Sequence, residues 1–138
     1  MADISITPAN VQPASDTVKA SGTAGATITA GQVLYIDTSD SNKLKLCDAN
    51  GATAIIRTPA GIALHGASSG QPIQYATGGG INPGGTVAIG TIYVTSATAG
   101  GIAPSTDLAT GHYTAIVGIG TTTSNIQLFI KAGGVAVP

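Results

Sequence analysis

The chain has 138 residues, of which 43% are hydrophobic and only 8% charged, with five Lys and Arg against six Asp. This length predicts one domain with a single buried core. A net charge of −1 excludes the dense basic surface that phosphate neutralisation requires, so we expect no nucleic-acid partner. No apolar run reaches the length of about 18 residues that predicts a membrane-spanning helix, so we expect no membrane partner.

The charge content is low for a small monomer, in which about a quarter of the residues are normally charged. The chain also contains 20 glycines. We therefore expect part of the weakly polar surface to face another protein. The alternative is a compact, glycine-rich β domain with an exterior of Thr and Ser.

Residues 1–16 predict an N-terminal arm. Ile4 and Ile6 alternate with polar residues, and Pro8 and Pro13 then interrupt the pattern. Because each proline removes a backbone donor, this segment is predicted to be an edge strand or an extended tail. The opening MADISITPAN lacks the basic and then apolar order of a secretory signal. We therefore expect synthesis in a cytoplasm, and the single cysteine agrees with a chain that forms no internal disulfide.

Residues 32–48 predict a hairpin, because the alternating strands QVLYID and NKLKLCD flank the polar connector TSDSN. Val33 and Tyr35 share one face of the first strand, and Leu44 and Leu46 share one face of the second. Residues 52–60 predict either a short helical turn or a strand. Further strands are predicted over residues 17–21, 61–66, 71–77, 86–90, 91–96, 112–120 and 124–132.

Turn-rich loops are predicted over residues 78–85 and 97–111, the second with room for one helical turn after Pro104. No window keeps an apolar stripe of helical period over three turns, so long helices are not expected. The predicted fold is mainly β. It consists of a compact β-barrel or sandwich body over residues 17–138, with an extended N-terminal arm over residues 1–16 and at most short helical turns.

The stretch GASSG, residues 66–70, formally matches the G-x-S-x-G motif of hydrolases, and His65 stands beside it. In those enzymes a strand precedes the serine and a helix follows it. Here an alternating strand follows, so we interpret GASSG as a turn between two strands. A catalytic serine in this motif needs an acid and then a histidine later in the chain. Asp107 and His112 occur in that order, but they flank a loop, so we do not interpret them as its catalytic partners. We predict no catalytic residue and no enzymatic activity.

Acidic and amide side chains near the hairpin offer oxygen atoms to a cation. Their spacing does not match an EF-hand loop, and the bidentate Glu of that loop is missing because the chain has no Glu. We predict turn-stabilising roles for them, with weak cation binding as the alternative. Two histidines and one cysteine do not predict a zinc site, and GGGINPGG opens no helix that would bind phosphate. We predict no metal and no cofactor. The acidic and amide residues near the hairpin, which are the candidates for weak cation binding, are Asp37, Asp40, Asn42, Asp48 and Asn50.

The order of the elements resembles that of the head-decoration, or capsid cement, proteins of tailed bacteriophages. The features that carry the resemblance are the opening strand AGQVLYID, the pair GIAL and GQPI, the turn YVTSATAGGIAP and the closing hairpin VGIGTTTSNIQLFI. Together they span roughly residues 17–131. The resemblance implies a β-tulip-like body related to the decoration proteins of lambda-like phages.

The resemblance also implies a function. Such proteins bind the outer surface of the mature capsid, commonly as trimers at threefold or quasi-threefold positions, and stabilise the shell. The implied partners are the major capsid protein and further copies of the chain, and the implied location is the virion, after synthesis in the host bacterial cytoplasm. The arm of these proteins reaches the capsid, a role that here falls to residues 1–16 with Ile4, Ile6 and Val11 as the apolar contacts. The two prolines in the arm depart from the family's pattern.

Two other functions remain as alternatives. One is a small β domain of a phage tail, fibre or baseplate. The other, less favoured, is a carbohydrate-binding module, since the chain has no Trp to stack on a sugar. The aromatic residues Tyr35, Tyr75, Tyr93 and Phe129 are interpreted as anchors in the core or in an interface.

Overall fold

The computed structural model describes residues 3–138. Over this range the protein is mainly β, a curled antiparallel sheet that forms a half-barrel, with lone 3-10 turns at Pro8–Asn10 and Ser105–Asp107. The predicted fold class is thereby confirmed. None of the helical segments within residues 3–138 is long and apolar enough to cross a membrane. The strands are β1 (Val11–Pro13), β2 (Val18–Thr23), β3 (Val33–Asp37), β4 (Lys43–Leu46), β5 (Gly61–Ala63), β6 (Pro72–Pro83), β7 (Ile92–Thr95), β8 (Ile102–Pro104), β9 (Tyr113–Gly120) and β10 (Ile126–Ala136).

The long strand β6 organises the sheet. The strand order is β4-β3-β5-β6-β10-β9-β7-β8, and β1 and β2 also pair with β6. The first half of β6 pairs with β2 and β5, whereas its second half pairs with β1 and β10. Beyond β2, a bridge between Ala24 and Leu44 brings the chain back to β4. This closure is why the sheet curls around a core instead of remaining flat.

The β3–β4 hairpin forms as the alternation predicts. Leu34 pairs with Leu46 across the strands, and the connecting turn places Asn42 at a φ of 58°, in the left-handed region. Val33 and Tyr35 point into one core cluster, and Leu34 points into another. Both faces of β3 are therefore covered, since the strand lies where the curled sheet packs on itself.

Two apolar clusters fill the interior. The larger, which we call the main core, lies against β6, β7, β9 and β10, and the smaller lies inside the curl of β2 to β6. The main core consists of Val11, Ala30, Val33, Tyr35, Cys47, Ile62, Ala76, Ile81, Val87, Tyr93, Ile102, Val117, Ile126 and Leu128. The smaller cluster consists of Ala24, Ile28, Leu34, Leu44, Ala63, Ala67, Ile73 and Tyr75.

Three local predictions are wrong. The loop predicted over residues 78–85 is largely strand, because β6 continues to Pro83 with Ile81 fully buried opposite Ile126. The strand predicted over residues 86–90 is absent, since residues 86–88 have no regular secondary structure and residues 89–90 form a turn. The loop predicted over residues 97–111 contains β8, although the helical turn expected after Pro104 is confirmed.

The ambiguous segment at residues 52–60 is a series of turns. The N–H of Thr58 donates to the Ile55 carbonyl at 3.2 Å, and its hydroxyl donates to the Ala54 carbonyl at 2.8 Å. The Arg57 guanidinium lies 3.6 Å from the centre of the Tyr113 ring. This cation–π contact holds the segment against β9.

Candidate interaction surface

The side chains predicted to contact the capsid lie against the body of their own chain. Ile4 and Ile6 are half-buried and pack on the main core, and Val11 is 8% exposed within it. The boundary predicted after residue 16 falls in the turn between β1 and β2, and both strands pair with β6. The arm and the body therefore share one sheet and one core.

Backbone hydrogen bonds attach the first described part of the arm to the body. The Ile4 N–H donates to the carbonyl of Ile102 in β8, and the Thr7 N–H donates to the carbonyl of Gly84, both at 2.8 Å. At the start of the described chain, the Ser96 hydroxyl donates to Asp3 Oδ2 at 2.7 Å. The arm thus satisfies backbone groups of β8 and of the chain after β6.

Glycines make room for the arm on the body. A Cβ atom on Gly85 would lie 2.5 Å from Ile4 Cγ2, and one on Gly31 would lie 2.6 Å from Ile6 Cγ2. Both distances are far below a van der Waals contact, so any side chain there would displace the arm. We call the groove that holds residues 3–7 the arm seat. Its glycines are Gly31, Gly84, Gly85 and Gly101.

A row of exposed apolar side chains lies on the outer face of the sheet. Ile92 on β7 pairs directly with Ile119 on β9, and they are 43% and 44% exposed. Ile119 also pairs with Gln127 on β10, two residues before Phe129, which is 63% exposed. Diagonal neighbours across antiparallel strands are within reach of an aromatic side chain. The three apolar residues therefore form one surface.

A fourth exposed apolar residue, Ile89, lies in the turn that leads into β7 and is 67% exposed. Hydrogen bonds hold this turn in place. The Ala88 N–H donates to the Tyr93 hydroxyl at 2.8 Å, and the Gly90 N–H donates to the Gly120 carbonyl at 2.7 Å. We call Ile89, Ile92, Ile119 and Phe129 together the outer row.

The outer row is free of charged residues. Residues 58–106 and 108–130 contain no Asp, Glu, Lys or Arg, so the charged residue nearest to the row in sequence is Lys131, two positions after Phe129. Large apolar surfaces exposed on a protein commonly mark sites of protein association, and the cores of such interfaces are poor in charge. The outer row therefore has the composition of an interface.

The candidate catalytic stretch is a turn, as interpreted from the sequence. Ser68 is exposed, and its N–H donates to Gln71 Oε1 at 2.8 Å. The two ring nitrogens of His65 are engaged by backbone groups, with Nδ1 2.9 Å from the Gly66 carbonyl and Nε2 3.1 Å from the Gln74 nitrogen. This arrangement ties the connection between β5 and β6 together.

Lysines neutralise the carboxylates at the end of the β3–β4 hairpin. Lys45 Nζ lies 2.8 Å from Asp37 Oδ2 and 3.0 Å from Asp40 Oδ2. The hydrogen bond from Lys45 is the main reason that the pKa of Asp37 falls to about 2. Asp48 accepts a hydrogen bond from the Asn50 N–H at 2.9 Å, as expected of a turn residue. Residues 3–138 hold no group of three His, Cys, Asp or Glu side chains arranged for a metal ion.

The cysteine is part of the core. Cys47 is fully buried and its thiol donates to the Ile56 carbonyl at 3.1 Å. Burial raises the pKa of the Cys47 thiol to about 12, which keeps it protonated at neutral pH. A buried thiol with this pKa is structural, since the thiolate is the reactive form.

The sequence reasoning identified only Phe129 of the outer row, and then as an anchor in the core or in an interface. The available signal was the absence of charge between Arg57 and Lys131, broken only by Asp107. Compared with known proteins, the chain matches no family model and no curated protein.

Proposed function

We propose that the chain is a structural virion protein that binds the outer surface of a mature phage capsid and stabilises the shell. In this proposal it acts as a trimer at threefold or quasi-threefold positions. The resemblance to capsid cement proteins supports the proposal, and the mainly β body agrees with it. The observation that carries it is the outer row, which is apolar, uncharged and exposed.

Binding through such a surface requires no chemistry. Burying one large apolar side chain completely contributes roughly 1.5–3 kcal/mol. Three copies that bind together gain avidity of about 10²–10⁴-fold over one copy where the geometry permits simultaneous contact. Because the protein binds the assembled shell in preference to its dissociated parts, binding stabilises the shell by mass action.

In this proposal the arm contacts the capsid only under one condition. Ile4, Ile6 and Val11 pack on the main core, so they contact a capsid only after the arm leaves its position on the body. Leaving exposes apolar surface that is covered in the isolated chain, at a cost of about 25 cal/mol for each Å². The outer row is available without this cost, and we therefore assign the first contact with the shell to it.

The test is a binding titration of purified variants on undecorated mature heads of the encoding phage. We expect Ile119→Ser and Phe129→Ser each to weaken binding by about tenfold or more, the equivalent of one buried apolar side chain. Ile36→Ser is the matched control, since Ile36 is 37% exposed on β3, which β5 and β6 separate from β10 in the sheet. Wild-type affinity in both outer-row variants, or binding to isolated tails in place of heads, overturns the proposal.

A further inference from the structure

The arm seat has the features of a binding site for an extended strand. It offers the carbonyls of Ile102 and Gly84 to the backbone of residues 3–7, and its four glycines leave space for the side chains of this segment. The buried Ser96 hydroxyl, in a residue 4% exposed, donates to the carboxylate of Asp3. The seat therefore recognises an acidic residue followed by alternating isoleucines.

The turn that follows the seated segment is exposed. Pro8–Asn10 form a single 3-10 turn without a buried residue, held by the hydrogen bonds from Asn10 N–H to the Thr7 carbonyl and from Val11 N–H to the Pro8 carbonyl. Beyond the turn, β1 pairs with β6 and stays part of the sheet. Residues 3–7 can thus swing away while the rest of the fold is kept.

We propose that the arm seat also accepts residues 3–7 of a second copy, so that neighbouring copies exchange their arms about the Pro8–Asn10 turn. The second copy is the occupant because it carries the segment that the seat holds in the structure. Exchange replaces every contact of the seat by an identical one, which makes it a low-cost route to association. An empty seat is costly by comparison, since Ile4 and Ile6 cover the main core.

The length of the segment sets the geometry of exchange. The five residues 3–7, fully extended, span at most about 18 Å. The Pro8–Asn10 turn of the donor copy therefore lies within that distance of the acceptor's seat, which requires copies in direct contact. The inference goes beyond the proposed function, because it needs a second copy but no capsid.

Concentration decides between the arm of the same chain and that of a neighbour. A segment tethered by a short linker has an effective concentration on the order of millimolar. Exchange is therefore minor in dilute solution. It becomes substantial as the protein approaches about 1 mM, or where an assembly holds copies side by side.

Disulfide trapping tests the proposal. Asp3→Cys and Ser96→Cys place one thiol on the arm and one in the seat, at side chains whose oxygens are 2.7 Å apart. Mixed single variants, incubated at about 1 mM and then oxidised, are expected to form a covalent heterodimer well above the yield at about 1 μM. Cys47 remains in place because its thiol is buried.

Two controls separate exchange from collision and from misfolding. Asp3→Cys mixed with Ser68→Cys, which is exposed in the turn before β6, measures accidental cross-linking. A chain carrying both Asp3→Cys and Ser96→Cys should close on itself in dilute solution, which shows that the two substitutions preserve the seat. Exchange is overturned if this chain closes but the mixed single variants give no more heterodimer at about 1 mM than the Ser68→Cys control.

Discussion

Lys45 joins two carboxylates at the end of the β3–β4 hairpin. Its ammonium group contacts Asp37 and Asp40, and these hydrogen bonds raise the pKa of Lys45 while they lower that of both carboxyl groups. Lys45 and Asp40 stay partly exposed, at 26% and 43%, and Asp37 is 13% exposed, so we assign the network a local role in holding the hairpin and only a modest contribution to stability. Its effect on stability should depend on pH.

The sign of that dependence follows from Asp37. Its pKa is lowered from the ordinary value of 3.8 to about 2, so the unfolded chain binds the proton first as the pH falls. The stabilising contribution is complete above about pH 4 and is lost as the pH falls through about 2. We expect Lys45→Met to lower the urea midpoint at pH 6, and the difference from wild type to shrink towards pH 2. A difference that is constant between pH 6 and pH 2 contradicts the assignment.

At the scale of the elements, residues 3–7 are the segment that we propose to be exchanged, and they also cover the main core. Ile4 and Ile6 are half-buried against the main core, whereas Ile89 is 67% exposed. We expect Ile4→Ala and Ile6→Ala each to lower the free energy of unfolding by about 1–2 kcal/mol, below the range for fully buried positions. Ile89→Ala should change it by less than about 0.5 kcal/mol.

Urea denaturation monitored by circular dichroism measures these three values. The comparison is internal, because each substitution removes the same atoms from an isoleucine. Equal stability in Ile6→Ala and Ile89→Ala would show that the arm does not rest on the body in solution. The arm seat would then be unoccupied in solution, which would contradict the proposed exchange of arms.

The elements differ in how far the sequence predicted them. The β3–β4 hairpin was predictable because apolar and polar residues alternate in its second strand, where Leu44 is buried and Leu46 partly buried. The continuation of β6 through Gly78–Gly80 was not, since glycine weakens a strand and the pairing of Ile81 with Ile126 is a long-range contact. In the segment TVAIG, Val87 is buried and Ile89 exposed, so a residue pattern typical of a strand occurs here outside any strand.

The candidate surface was predictable only in its composition. The low charge content indicated a surface that binds protein, but it did not indicate which residues form that surface. Val117 and Ile119 lie in the same alternating pattern, yet Val117 is 0% exposed and Ile119 is 44% exposed. The register of β7 on β9 shifts between Tyr93 and Val94, which alters the faces along the pair. Such a bulge depends on the pairing of β7 with β9, so the sequence of either strand by itself does not predict it.

At the scale of the whole molecule, charge is distributed unevenly. Nine of the 11 charged residues lie within residues 1–57, and the others are Asp107 and Lys131. The strands β7 and β9, which carry Ile92 and Ile119, therefore present a neutral surface, while the β3–β4 hairpin carries an ion-pair network. The outer row is therefore suited to contact with protein, and the end of the β3–β4 hairpin to contact with water.

The central claim is that the protein acts by binding an assembled shell. If the chain is encoded by a phage, as proposed, calorimetry of undecorated mature heads of that phage with increasing amounts of purified protein tests this claim most directly. We expect saturable binding at a fixed number of copies for each head and a rise in the melting temperature of the shell that reaches its limit at the same ratio. A shell whose melting temperature is unchanged at saturating protein contradicts the account.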